Sequence, residues 1–133
     1  MDEEKINKLP PDVKKQFIKY ALKLSEKKQK TKVHDDFLSF VKHVWPEFIE
    51  GAHHKKIAEK FNDIANKKIK RLIINMPPRH TKSEFASFLL PAWMVGRKPN
   101  LKIIQSTHTT ELAIRFGRKA KTLMDSQEYK EVF

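Results

Sequence analysis

Between Arg71 and Glu84 the chain reads Arg-Leu-Ile-Ile-Asn-Met-Pro-Pro-Arg-His-Thr-Lys-Ser-Glu, and this stretch constrains the fold more than any other. Leu72, Ile73 and Ile74 form a short apolar run rich in β-branched residues, the pattern of a strand buried on both faces. Pro77 and Pro78 forbid further strand pairing and an immediate helix. Lys82 and Ser83 follow, and Phe85, Phe88 and Leu89 then fall at helical spacing. Strand, tight loop, Lys-Ser and helix is the order in which a chain builds a phosphate-binding loop.

The chemistry of such a loop is specific. Backbone N–H groups entering a helix N-terminus converge on anionic oxygens, and the helix dipole favours negative charge there. Lys82 would reach the β- and γ-phosphates of a nucleotide, and the Ser83 hydroxyl would ligate its Mg²⁺. The usual pattern has glycine at its first and sixth positions, where this chain has Met76 and Thr81. A β-branched Thr81 resists positive φ, so the loop must take another backbone path or accept strain. The alternative reading of the same residues is a Pro-Pro turn before an amphipathic helix, with an incidental lysine.

Met-Pro-Pro-Arg-His-Thr-Lys-Ser-Glu, residues 76–84, resembles the divergent phosphate loop of tailed-phage terminase large subunits, the motors that pump DNA into capsids. That motif commonly has glycine where Thr81 stands. The flanks agree: Phe40 to Pro46 and Gly51-Ala52-His53-His54 before the loop, then Pro91-Ala92-Trp93, Gly96-Arg97, Phe116-Gly117-Arg118 and residues 129–133. The resemblance covers residues 35–133. It implies an α/β fold: the parallel-sheet core of a P-loop NTPase (RecA-like, ASCE), here incomplete and preceded by α-helices. It implies ATP and Mg²⁺ as cofactors, held by Pro78, Arg79, His80, Thr81, Lys82 and Ser83, with Ser83 the metal contact through Mg·ATP. Arg79 would be a γ-phosphate sensor or cis-acting finger, the other reading being a salt bridge that locks the loop. His53 or His54 would contact adenine, as the segment upstream of the loop does in terminases; an ordinary helix N-terminal histidine is the alternative. The implied partners are double-stranded DNA, a portal protein, a small terminase subunit and further copies in a ring, and the implied setting is the host cytoplasm beside a procapsid.

Composition sets bounds on these expectations. The 133 residues carry a formal net charge of +12, which predicts affinity for polyanions and is silent on fold. Residues 1–70 hold 17 Lys and Arg against 11 Asp and Glu, and residues 71–133 hold 11 against 5, so no single tail accounts for the excess. Cysteine is absent, which excludes disulfides and thiolate metal sites. No apolar run approaches the roughly 20 residues of a membrane span, and the acidic start Met1-Asp2-Glu3-Glu4 is unlike a signal peptide.

Along the chain, Pro10, Pro11 and Asp12 open a first helix whose stripe is Val13, Phe17, Tyr20, Ala21 and Leu24. Its lysine-rich face continues into residues 27–32, read as a solvated linker or, alternatively, a DNA-backbone contact. Residues 1–34 are thus a basic helical arm, and residues 35–133 the start of an ATPase domain. Asp35 or Asp36 caps a second helix that Pro46 stops, and Gly51 leads into a third with Ile57, Phe61 and Ile64 inward. Adjacent His53 and His54 point in different directions, and no carboxylate set joins them as a metal site. The helix from Lys82 runs to Pro91, where a kink is expected, and Gly96 ends the next element. Residues 101–106 predict a second strand joined to the first by a right-handed crossover. A helix after Thr110 places Leu112, Ala113, Phe116, Ala120 and Leu123 inward, and Asp125-Ser126 signals another cap.

Hydrolysis needs an acidic strand end for the Mg²⁺ water shell and a glutamate to orient water. The second apolar run ends in Gln105-Ser106, and Glu84 points away from the phosphate site. No acidic set suits a two-metal nuclease, which terminases carry in a C-terminal domain. The expectation is therefore a fragment, the ATP-binding portion of an ATP-driven DNA translocase, inactive alone. Another P-loop enzyme, such as a helicase or nucleotide kinase, is one alternative. A basic nucleic-acid-binding module without a nucleotide site is the other.

Overall fold

The computed structural model describes residues 10–133, and all regular structure among them is helical. The helices are α1 (Pro11–Asp35), α2 (Phe37–Val44), α3 (Ala52–Ala65), α4 (Lys82–Glu84), α5 (Leu90–Arg97), α6 (Thr110–Asp125) and α7 (Gln127–Lys130). A π-helical segment, Phe85–Leu89, joins α4 to α5 without a break. Two compact units divide after Thr31, close to the boundary at 34 that the sequence suggests.

The first unit is the helical arm. No residue from 11 to 31 is buried: Val13 and Leu24 of the expected stripe are exposed, and Tyr20 is 63% exposed. Residues 27–32 are helix rather than linker. Lys and Gln are good helix formers, so a polar run need not be a loop.

The second unit is built on α2 and α3. Asp36 has extended backbone and caps α2, its carboxylate accepting from Ser39 N at 2.8 Å. Asn62 of α3 clasps the same corner, donating to Asp36 Oδ1 (2.8 Å) and accepting from Phe37 N (2.9 Å). Burial pushes the Asp36 carboxyl up, but the hydrogen bonds from Ser39 and Asn62 outweigh it and hold it below its ordinary value. Phe37 is fully buried and meets Phe61, Phe85 and Trp93 edge-on, with ring centroids 5.2, 5.4 and 5.5 Å away. Trp93 N–H is satisfied by the His34 carbonyl at 3.0 Å. From the far end, the Tyr129 hydroxyl donates to Ala92 O at 2.8 Å.

The α/β expectation is overturned. Among the described residues there is no strand, and neither residues 72–74 nor residues 101–106 enter a ladder. No parallel pair or crossover connects them. The first segment does alternate: Leu72, Ile74 and Met76 pack on the helical core while Ile73 is 87% exposed. It therefore buries one face, not two. In the second, residues 102–106 are all exposed, Ile104 at 96%. β-branched composition favours extended backbone, but a sheet exists only where a second strand accepts its N–H and C=O groups. Without one, the backbone stays where water can satisfy it.

Two boundaries also differ. The helix continues past Pro91 to Arg97 because the widened π turn lies immediately before the proline, Leu90 N bonding Phe85 O five residues back. Gly96 sits inside the last turn of α5 and permits a close approach: a Cβ there would lie 2.6 Å from the Tyr129 hydroxyl and from Phe133. On α6, Ala113 is exposed and Phe116 is the buried residue.

Candidate functional site

Residues 76–83 leave the helical core at Met76 and return to it at Phe85, which is fully buried against Phe37 and Phe48. Within the loop, Arg79 (φ 66°) and Thr81 (φ 55°) both occupy the left-handed region. Thr81 thus takes the conformation that glycine supplies in the usual pattern. Of the two routes open to it, the loop accepts strain, at a typical cost of about 1–3 kcal/mol.

A chain of hydrogen bonds holds Thr81 there. The N–H of Gly51 donates to His54 Nδ1 at 2.9 Å, so the ring proton resides on Nε2. His54 Nε2 then donates to Thr81 Oγ1 at 2.5 Å, and the threonine hydroxyl donates in turn to the His80 carbonyl at 2.8 Å. His54 is 6% exposed and packs on Phe48 and Phe85. Burial lowers its pKa, His53 lowers it further, Glu50 opposes the shift and His80 adds to it. Gly51 admits this packing: a Cβ there would stand 2.8 Å from the His53 ring.

The N–H groups of Lys82, Ser83 and Glu84 precede the first intrahelical bond, from Phe85 N to Thr81 O at 2.9 Å. The Lys82 ammonium reaches back across the loop to donate to Met76 O at 2.6 Å. It pairs with no carboxylate among the described residues, because Glu84 is engaged by Lys119 at 2.7 and 2.9 Å. Glu84 is thereby turned onto α6 and away from the loop. The Ser83 hydroxyl is exposed. Pro78 and Arg79 are exposed too, and Arg79 makes no ion pair among the described residues, so the locking salt bridge is absent there. His80 Nδ1 donates to Pro78 O at 2.9 Å, tightening the turn.

The two upstream histidines separate. His54 faces inward to the loop, whereas His53 lines a groove of about 280 Å³ with Lys56, Ile57, Leu72 and Met76, and its Nε2 is buried without a hydrogen-bond partner. The direct bond from His54 to the loop was not foreseen in the sequence. The available signal was His54 at the third helical position after Gly51, where a side chain can reach back to the N-cap N–H.

The donor set suits a phosphate better than a bare cation. Three helix N-terminal N–H groups at residues 82–84 lie on the same short stretch as the Lys82 ammonium and the Ser83 hydroxyl, and no group of three His, Asp or Glu capable of holding a metal occurs among the described residues. Ser83 could contribute one oxygen to a Mg²⁺ brought by a nucleotide. A depression of about 860 Å³ lies elsewhere, between Val44, Phe88, Ile114, Arg118 and Leu123, and is mainly apolar. No helix among the described residues is long and apolar enough to cross a membrane. No family model, curated protein or solved structure matches the chain.

Proposed function

We propose that residues 76–84 bind the phosphates of Mg·ATP, and that the chain is the ATP-binding portion of a DNA-translocating motor of the terminase large-subunit type. The observation that carries the phosphate reading is Thr81. A β-branched residue held at φ 55° one residue before an ammonium and a helix N-terminus is costly for a mere turn. It is intelligible where the backbone must curl so that consecutive N–H groups face one anion. Lys82 would exchange its bond to Met76 O for phosphate oxygens, Ser83 would face Mg²⁺, and Arg79 would approach the γ-phosphate. His53, lining the adjoining groove, is better placed for the base than the buried His54. The motor reading rests on the resemblance of residues 76–84, and the carboxylate nearest the loop in sequence, Glu84, is taken up by Lys119. Double-stranded DNA, portal, small subunit and ring assembly belong to that reading.

Nucleotide-dependent melting tests the phosphate site. Saturating Mg·ATP should raise the melting temperature of the chain by several degrees, since about 100-fold excess over Kd corresponds to roughly 2.7 kcal/mol. Lys82→Ala should abolish the shift, while the free protein loses only the half-buried bond to Met76 O, about 1 kcal/mol. Equal shifts in both proteins would reject the site.

One observation favours the second reading, a basic nucleic-acid-binding module. The arm presents Lys15, Lys19, Lys23, Lys27, Lys28 and Lys30 on a helix with no buried residue before Val33. Binding to duplex DNA that weakens steeply with salt, with no response to Mg·ATP, would select it.

A further inference from the structure

The loop is latched by a titratable group whose protonation state is dictated by its neighbours. Gly51 N–H occupies the Nδ1 lone pair of His54, and only a proton on Nε2 lets the ring donate to Thr81 Oγ1. An imidazolium would keep the donor to Thr81 but would point a second N–H at the Gly51 N–H. The ring would then have to leave its seat between Phe48 and Phe85, taking the Thr81 bond with it.

We propose that His54, as the neutral Nε2-protonated imidazole, is the positioning residue of the phosphate loop: it holds Thr81 in the left-handed conformation, and the loop has its anion-binding shape only while that bond is made. This rests on the phosphate-site reading above. It assigns no contact between His54 and the nucleotide.

The surroundings of His54 set the direction of the pH response. His53 on the same helix, His80 on the loop and the N-terminal end of α3 disfavour a positive charge. Glu50 favours one, but its carboxylate is already shared between Lys42 and Lys55 (3.0 Å to Lys55). The largest influence is burial between Phe48 and Phe85, which disfavours the charged ring. The folded pKa therefore lies below the ordinary 6.5. The latch is intact above pH 6.5 and is lost as pH falls through the folded value.

The test couples His54 to Thr81. Glycine at position 81 adopts positive φ without help, so Thr81→Gly dispenses with the latch while keeping the N–H groups. Affinity for Mg·ATP would be measured by calorimetry on the full chain from pH 7.5 to 5.5. The ratio of Kd between wild type and Thr81→Gly cancels the titration of ATP itself. It should rise steadily as pH falls, by less than about tenfold at pH 5.5 because the folded value lies below 6.5. At pH 7.5, His54→Leu should weaken binding about tenfold, His54→Gln should recover part of the loss through its own N–H, and Thr81→Gly should restore the His54→Leu protein to within about threefold.

A constant wild-type to Thr81→Gly ratio across the pH range overturns the inference, and it needs no His54 variant to fold. Failure of Thr81→Gly to rescue a folded His54→Leu protein, while wild type binds, overturns it equally and leaves the phosphate site standing. Absence of Mg·ATP binding by wild type and Thr81→Gly alike overturns both.

Discussion

The helices around Phe37 and the apolar segment around Ile104 draw on the same class of side chain, yet Phe37 is fully buried and Ile104 is 96% exposed. The difference lies in the backbone. A helix satisfies its own N–H and C=O groups, so α2, α3 and α5 can turn their apolar faces to one another and exclude water. Residues 101–106 have no ladder partner among the described residues, and burying them would orphan their peptide groups. Residues 71–76 are the intermediate case. Leu72, Ile74 and Met76 reach the core from the edge while the backbone stays accessible. Hydrophobicity decides which residues seek burial; backbone satisfaction decides which of them get it.

The comparison can be broken most severely at Phe37. Phe37→Ala removes the ring that Phe61, Phe85 and Trp93 all contact edge-on, and should cost about 3–5 kcal/mol in chemical denaturation. A loss under 1 kcal/mol would mean that the helical core is not the source of stability. The polar clasp beneath that ring comes next. Asn62→Ala strips a donor from Asp36 and an acceptor from Phe37 N, and about 1–3 kcal/mol should go with them. Part of that loss should disappear in acid. Asp36 contributes stability that is present above its unfolded pKa and lost as pH falls through the depressed folded value, so the gap between wild type and Asn62→Ala should narrow as pH falls below 3.8 without closing, Phe37 N still lacking its acceptor. Least affected should be Ile104→Thr, within about 0.5 kcal/mol of wild type. A larger loss there would show that residues 101–106 are covered in solution.

Much of the helical scaffold could be read from the sequence, because helix ends leave local marks. Asp36, Gly51, Thr109 and Ser126 cap helices at or beside the positions that the patterning suggests. What failed was everything needing a distant partner. Residues 72–74 and 101–106 have strand composition, but pairing is a property of two segments, and neither contains the information that the other is missing. The bond from His54 to Thr81 spans 27 residues and was equally invisible. The strain at Thr81 was legible, since a β-branched residue in a glycine position must be held by something. What holds it was not.

The phosphate loop is the central claim, and the backbone amides of residues 79–84 report on it most directly. In a ¹H–¹⁵N titration of the chain with Mg·ATP, the account predicts saturable shifts concentrated at Thr81, Lys82, Ser83 and Glu84, with His54 moving alongside them and the arm unaffected. Shifts spread over the lysines of α1 with residues 79–84 silent would contradict it, and would make this chain a polyanion-binding protein whose Pro77-Pro78 loop is only a turn.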